Sequence, residues 1–396
     1  MDLDPLLKSA VAAGASDIHL KLGRPPMIRH DGEVTALDGP ALTDDDLDAI
    51  LRVVTAEAPK RYDQFQENGD LDIAYTSEGL PRFRVNVFRQ RGAISLALRI
   101  IPITVPSFEE LGLPDGVQQL ADEHRGLILV TGATGSGKTT TLASIIDYIN
   151  RTRRSHIVTV EDPIEIMHRD RLSIVNQREI GIDTPDFGQA LRRALRQDPD
   201  TILIGELRDA ETAQTALQAA ESGHLVFSTL HTIDAAETIG RMIEFFPPAK
   251  QQQIRSIMAG VVRGVISQRL LPRRGGGRVA AIELMINNAR IADLIREDRP
   301  EEITAAIADG EFAKMQTFQK ALIDHVLNGT VDRDVAANAS TNRHDFMVAL
   351  EYAEKAQSAG IDHNASSSAG ALVSEPLEEA PEPEPEFALR LAPLGE

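Results

Sequence analysis

Four short runs in the middle of the chain are apolar almost throughout: GLILVT at 126–131, HIVTV at 156–160, TILIG at 201–205 and HLVFSTL at 224–230. Stretches with helical spacing separate them. A strand without polar alternation has no face to offer to water, so it must be covered on both sides. Apolar strands alternating with helices therefore predict an α/β fold around a parallel sheet.

The chain before this region reads differently. DIHLKL, then MIRHDGEVTAL with Asp31-Gly32 as a hairpin signal, alternate in strand fashion. Residues 43–66 have apolar positions at helical spacing, with Thr43 as the cap and acidic residues in the first turn. The runs LDIAY, RFRVNVFRQ and AISLALRII follow. This predicts an α+β domain over 1–102, and Pro102, Pro106 and Pro114 mark 103–116 as a linker. The second domain is expected over 117–356, mostly helical from about Ala249 to His325, with a strand at RVAAIELM after a basic Gly-rich turn.

Residues 375–396 hold seven Glu, five Pro and one Arg, and the stretch before them is Ser/Ala/Gly-rich. Such a segment buries too little apolar area to offset its ordering entropy, so 357–396 is expected to be a disordered acidic tail. The chain has no cysteine, which excludes disulfides and Cys-based zinc sites. No apolar run approaches the ~20 residues of a spanning helix, and MDLDPLLKSA lacks a signal pattern. A cytoplasmic protein with no integral membrane segment is expected. The formal charge of −19 weighs against a nucleic-acid coat.

The first apolar run leads into Gly132, Ala133, Thr134, Gly135, Ser136, Gly137, Lys138, Thr139 and Thr140. Gly-x4-Gly-Lys-Thr between a strand and a helix is the P-loop pattern in its required context. Glycines let backbone N–H groups turn inward to phosphates, and the helix N-terminus adds positive potential. Lys138 is placed to neutralise phosphate oxygens and Thr139 to ligate Mg²⁺, so ATP with Mg²⁺ is the expected nucleotide pair. Three further segments follow buried strands, where catalytic groups of parallel sheets lie. TVEDPIE supplies Glu161, Asp162 and Glu165; TILIGELRD supplies Glu206 and Arg208; HLVFSTLHT is bracketed by His224 and His231, read as phosphate-sensing or interface residues.

Together these boxes resemble those of the PilT-type secretion ATPases, the hexameric motors that retract type IV pili: Walker A (GATGSGKTT), Asp box (VTVEDPIE), Walker B (TILIGELRD) and His box (HLVFSTLHT). GASDIHL and FRVNVFRQRG resemble that family's N-terminal PAS-like domain, and MQTFQKAL its C-terminal helical part. The resemblance implies a PAS-like domain followed by a RecA-like ATPase domain, assembled as a homo-hexamer. It implies Glu165 as the acid that orients or deprotonates water, and Glu206 as the Walker-B acid acting through Mg²⁺. Arg84, Arg89, Arg91 and Arg99 are candidates to reach the γ-phosphate, and Arg192, Arg193, Arg196 and Arg208 for sensing or subunit contacts. The implied partner is an inner-membrane pilus platform protein, met at the inner face of the cytoplasmic membrane, with no nucleic acid.

Two features bear on the subfamily. Extension and type II secretion ATPases usually carry a further N-terminal domain and a tetracysteine insertion; this sequence has no cysteine and opens on the PAS-like segment. RIADLIRED at 290–298 matches LIRED of the retraction motif but departs at Arg290, Ala292 and Asp293, which leaves a PilT or a PilU-like accessory role open. The alternatives are an extension or type II secretion ATPase, a RecA-like nucleic-acid translocase, or a non-hydrolysing nucleotide-binding module.

Overall fold

The computed structural model describes residues 2–30, 32–56 and 58–358. Among these residues, thirteen strands form two sheets. The first is antiparallel, in the order β3-β2-β1-β6-β5-β4. Its strands are β1 (Asp17–Lys21), β2 (Met27–His30), β3 (Glu33–Ala36), β4 (Asp70–Tyr75), β5 (Phe83–Gln90) and β6 (Ala93–Ile100). Every second residue of β5 (Phe83, Val85, Val87) is buried, and so are Leu7, Leu47, Ile50, Leu51 and Phe65 of the helices that cover that face. Of the expected hairpin signal, Asp31 lies outside the described residues; Gly32 turns at φ 88° between β2 and β3.

The single helical stretch expected over 43–66 is two helices, Asp44–Val54 and Pro59–Asn68. Thr43 and Asp46 form a reciprocal capping box at the first. The break follows from Pro59, which has no N–H to continue a helix and disfavours the helical conformation of Ala58. Proline instead begins the second helix, where its missing donor costs nothing.

The second sheet has the order β13-β12-β7-β11-β10-β8-β9. Its strands are β7 (Gly126–Thr131), β8 (His156–Glu161), β9 (Ile174–Glu179), β10 (Thr201–Ile204), β11 (Leu225–Leu230), β12 (Val262–Pro272) and β13 (Arg278–Ile286). All residues of β7, β10 and β11 are buried. The sheet is mixed rather than purely parallel, because β13 returns antiparallel along β12. β12 also corrects the expectation of a mostly helical 249–325. It starts directly from the helix Pro248–Val261 with no turn between them, so the sequence shows no boundary. Packing between β7 and β13 imposes the strand; at Gly264 a Cβ would meet Leu120 and the Met285 carbonyl below 3 Å.

A smaller core of Phe318, Leu322, Val331, Phe346 and Leu350 joins the C-terminal helices to Leu271 and Ala281 of the β12–β13 hairpin. Within 103–116 the chain forms a helix, Phe108–Leu111, and Phe108 stacks on Tyr148 at 5.1 Å. Gln357 and Ser358, expected in the tail, end the helix Arg343–Ser358; the rest of that tail lies outside the described residues. Among the described residues no helix is long and apolar enough to cross a membrane.

Candidate nucleotide and catalytic site

β7 carries the chain through the middle of the sheet and releases it at Thr131 into the loop 132–137. Gly132, Gly135 and Gly137 have φ of 140°, 79° and 95°. At Gly132 a Cβ would overlap the Gln268 carbonyl and Ser136 Oγ, so glycine is required by space as well as by conformation. Gly137 is the N-cap of the helix Lys138–Thr152, whose first-turn N–H groups make an anion site. Lys138 Nζ donates to the carbonyls of Gly132 at 2.8 Å and Ala133 at 3.1 Å. Burial lowers the affinity of its amine for a proton, against the opposing pull of Glu206 and Glu165.

Four strands deliver residues to this one edge. Beyond β10 lies Glu206, beyond β11 lies His231, and at the end of β8 lie Glu161 and Asp162. His231 Nδ1 is 3.5 Å from Lys138 Nζ, and His231 Nε2 is 3.2 Å from Glu206 Oε1. An ammonium can only donate, so Nδ1 accepts and the ring proton sits on Nε2, facing Glu206. Arg208 Nε donates to Glu206 Oε2 at 2.8 Å, and its Nη1 to Asp162 Oδ2 at 3.4 Å. One polar chain thus runs from Lys138 through His231, Glu206 and Arg208 to Asp162.

The two glutamates of the Asp box differ. Glu161 is buried; its Oε1 accepts from Thr159 Oγ1 at 2.6 Å and Gln177 Nε2 at 3.1 Å, and its carboxylate also takes the N–H of Glu165. Burial pushes its carboxyl above the usual range. It is committed to holding the loop. Glu165 is exposed and lines a cavity of about 1100 Å³ together with the phosphate loop, Glu206, Arg208 and His231. Among the described residues no group of three or more His, Asp or Glu could cage a metal ion. Thr139 and Glu206 face the same cavity. One hydroxyl and one carboxylate suit Mg²⁺, which keeps waters and takes its remaining ligands from phosphates.

Other expected residues lie elsewhere. None of Arg84, Arg89, Arg91 and Arg99 lines this cavity. Arg99 pairs with Asp17 at 2.9 Å and Arg84 with Asp72 at 3.8 Å. Arg89 stacks on Phe65 and donates to Gln66, while Arg91 forms the β5–β6 turn. Within one chain they do not reach the phosphate loop. His224 stands at the opposite end of β11 from His231, with Nδ1 3.0 Å from both Ser222 Oγ and the Ala219 carbonyl at the end of the helix Ala210–Glu221. Strand direction separates it from the loop 132–137. Arg192 pairs with Glu211, and Arg193 and Arg196 are exposed away from the cavity.

Gln268, Arg273, Arg278, His325 and Thr330 also line the cavity and belong to none of the sequence boxes. Gln268 escaped because β12 read as helix; the basic Gly-rich turn was the only signal for the two arginines. The Asp-box loop and β9 also meet the N-terminal part, through Arg82–Glu179 at 3.1 Å and Met167 N–H to the Pro102 carbonyl at 3.3 Å. In LIRED, Leu294 and Ile295 are buried in the main core, whereas Arg296, Glu297 and Asp298 are exposed.

The family described as Type II/IV secretion system protein matches residues 1–275. The type IV pilus retraction ATPase PilT of Pseudomonas aeruginosa is 45% identical over 346 residues, 87% of this chain and 100% of the relative. A twitching motility protein of Neisseria gonorrhoeae is 41% identical over 318 residues, 80% of this chain and 84% of the relative. A crystal structure of the pilus retraction motor PilT with bound ADP superposes with a TM-score of 0.81 at 47% identity, covering 87% of this chain and 98% of that one.

Proposed function

The chain belongs to the type II/IV secretion system protein family and is a PilT-type ATPase, and on that premise we propose that it works as a hexameric motor of type IV pilus retraction on a platform protein at the cytoplasmic face of the inner membrane. The observation that carries retraction is the 45% identity to a pilus retraction ATPase over that relative's whole length; the polar chain from Lys138 to Asp162 along one edge of the sheet supports the ATP chemistry.

Each residue has a role that its geometry supports. Lys138 and the loop amides hold the β- and γ-phosphates. Thr139 and Glu206 would hold Mg²⁺, which supplies charge neutralisation at the phosphates. Glu165, exposed and free of the hydrogen bonds that occupy Glu161, orients or deprotonates the attacking water. His231 touches both Lys138 and Glu206, so it registers a change at either. Arg208 orients Glu206 by donating from Nε to its Oε2. Phosphoryl transfer needs positioning and charge stabilisation more than covalent help, and this set provides both. Arg84, Arg89, Arg91 and Arg99 do not line the cavity of their own phosphate loop; in a ring they are available to a neighbour's. Closure of one part on the other around the nucleotide, with reopening after phosphate release, would turn hydrolysis into rotation.

Lys138→Ala should abolish ATP turnover in a folded protein, since a point charge is lost and the loop amides survive. Wild-type turnover in that variant would remove the assignment. Deleting the gene should leave cells hyperpiliated and unable to twitch. Bald cells would point instead to extension, and stimulation of turnover by DNA to a translocase.

A further inference from the structure

Beneath the phosphate loop, four hydroxyl side chains form a buried line. Ser267 on β12 and Thr131 on β7 are register partners with Oγ atoms 2.9 Å apart. Thr131 Oγ1 lies 3.4 Å from Thr238 Oγ1, which lies 2.7 Å from Thr232 Oγ1. Thr131, Thr238 and Ser267 are 0% exposed and Thr232 4%. The ends of this line matter. Thr131 is the last residue before the phosphate loop, and Thr232 directly follows His231.

Thr238 is the middle member, on the helix Ala235–Glu244. Its hydroxyl has one proton and two lone pairs. The Asp234 carbonyl, 2.6 Å away, can only accept, so it takes the proton. The Thr238 oxygen then accepts from Thr232, while Thr131 gives its own proton to Ser267 and meets Thr238 only through the longer 3.4 Å contact, the weaker branch of the Thr238 proton. Thr215 on the helix Ala210–Glu221 shows the ordinary case: it donates to the Glu211 carbonyl at 2.9 Å and, among the described residues, makes no lateral hydroxyl contact. The lateral contacts of Thr238 are therefore a feature of its place, not of threonine in a helix.

We propose that Thr238 is a positioning residue for ATP hydrolysis, holding the His231 backbone in register with the root of the phosphate loop through Thr232 and Thr131. This rests on the roles given above to Lys138, His231 and Glu206. The His231 ring reaches its two partners at 3.5 and 3.2 Å. A shift of about 1 Å in its backbone would break one contact or the other, and misplacement of that size costs on the order of 100-fold in rate.

The test is the Thr238→Val variant, which keeps the side-chain shape and removes the hydroxyl, read beside Thr238→Ser and the matched control Thr215→Val. Thr238→Val should bind ATP with unchanged KM and lose roughly 10- to 100-fold in kcat. Thr238→Ser should restore turnover, and Thr215→Val should behave as wild type. Equal kcat in Thr238→Val and Thr215→Val, a joint loss of kcat and nucleotide binding, or failure of serine to rescue would each overturn the proposal. Should Thr238→Val not fold, Thr232→Val is judged by the same kcat and KM criteria. Absence of turnover in the wild-type protein and the Thr215→Val control would overturn the proposed function itself, a result distinct from those above.

Discussion

The two sheets solve burial in opposite ways, and the site follows from the difference. In the six-stranded sheet one face is covered by helices and the other carries charge: Asp17 stands in register with Arg29 and with Arg99, and Arg99 with Arg84. Antiparallel strands joined by hairpins spread such groups over a surface. In the seven-stranded sheet both faces of the central strands are covered, so only strand ends reach solvent. Because β7, β8, β10 and β11 run parallel, their C-terminal ends emerge together. Residues far apart in sequence, Lys138, Glu165, Glu206 and His231, then line one cavity. Parallel order concentrates chemistry at an edge; antiparallel order disperses it over a face.

The comparison breaks first, and most visibly, at the strand ends. Glu165→Ala should retain MgATP affinity while turnover falls by about 10²- to 10⁴-fold, whereas Glu206→Ala should lose both. Nucleotide affinity and turnover of the two variants decide it; loss of binding in both would erase the division of labour.

A smaller effect belongs to the core behind that edge. Leu294→Ala and Ile295→Ala should each cost about 2–5 kcal/mol in urea unfolding, since both side chains are buried. The match of LIRED to the retraction motif makes coupling of hydrolysis to pilus movement the rival role for these residues. Burial makes these two residues structural, and a stable, ATP-hydrolysing, non-twitching double variant would return them to coupling.

Next is pH. Glu283 on β13 is buried, accepts the Ala235 N–H at 2.9 Å, and burial pushes its carboxyl up to about 7. A raised folded pKa means that its contribution is complete below the unfolded value, near 4.5, and is lost as pH rises towards 7. Glu283→Gln should therefore flatten the fall in stability over that interval, a difference of about 3 kcal/mol at most. Melting temperatures of the two proteins at pH 5 and pH 8 measure it. His168 works in the other direction: burial drops it to about 4, so its contribution is lost as pH falls from 6.5.

The smallest stability effect belongs to the open face of the six-stranded sheet. Arg99→Ala should change stability by less than about 1 kcal/mol, as exposed ion pairs do. Its turnover in the assembled protein is the sharper reading. A fall of about 10³- to 10⁵-fold would show that the open face serves a neighbour's phosphates; unchanged turnover would confine Arg99 to its pair with Asp17.

Much of the fold was legible because its signals are local. Apolar strands announce β7, β8, β10 and β11, and alternation announces β1, β2 and β3. β9 and β12 were not legible. β9 is a polar edge strand held by pairing with β8, and β12 is a strand only because β7 and β13 flank it. The site was legible where glycines and acids follow strands at short range, but not where Gln268 and the hairpin arginines approach from distant segments.

His224 and His231 mark where the sequence ends and the fold begins. By itself the sequence determined that a phosphate loop follows a buried strand, that acids follow two others, and that a histidine flanks each end of β11. These depend on residue type and spacing along a few turns of chain. Only the tertiary structure decided that His231 joins Lys138 and Glu206 while His224 caps a helix at the far end. The physical reason is that strand direction and neighbour order are set by long-range pairing, where burying whole strands outweighs the cost of closing long loops, and no short window of sequence records that balance.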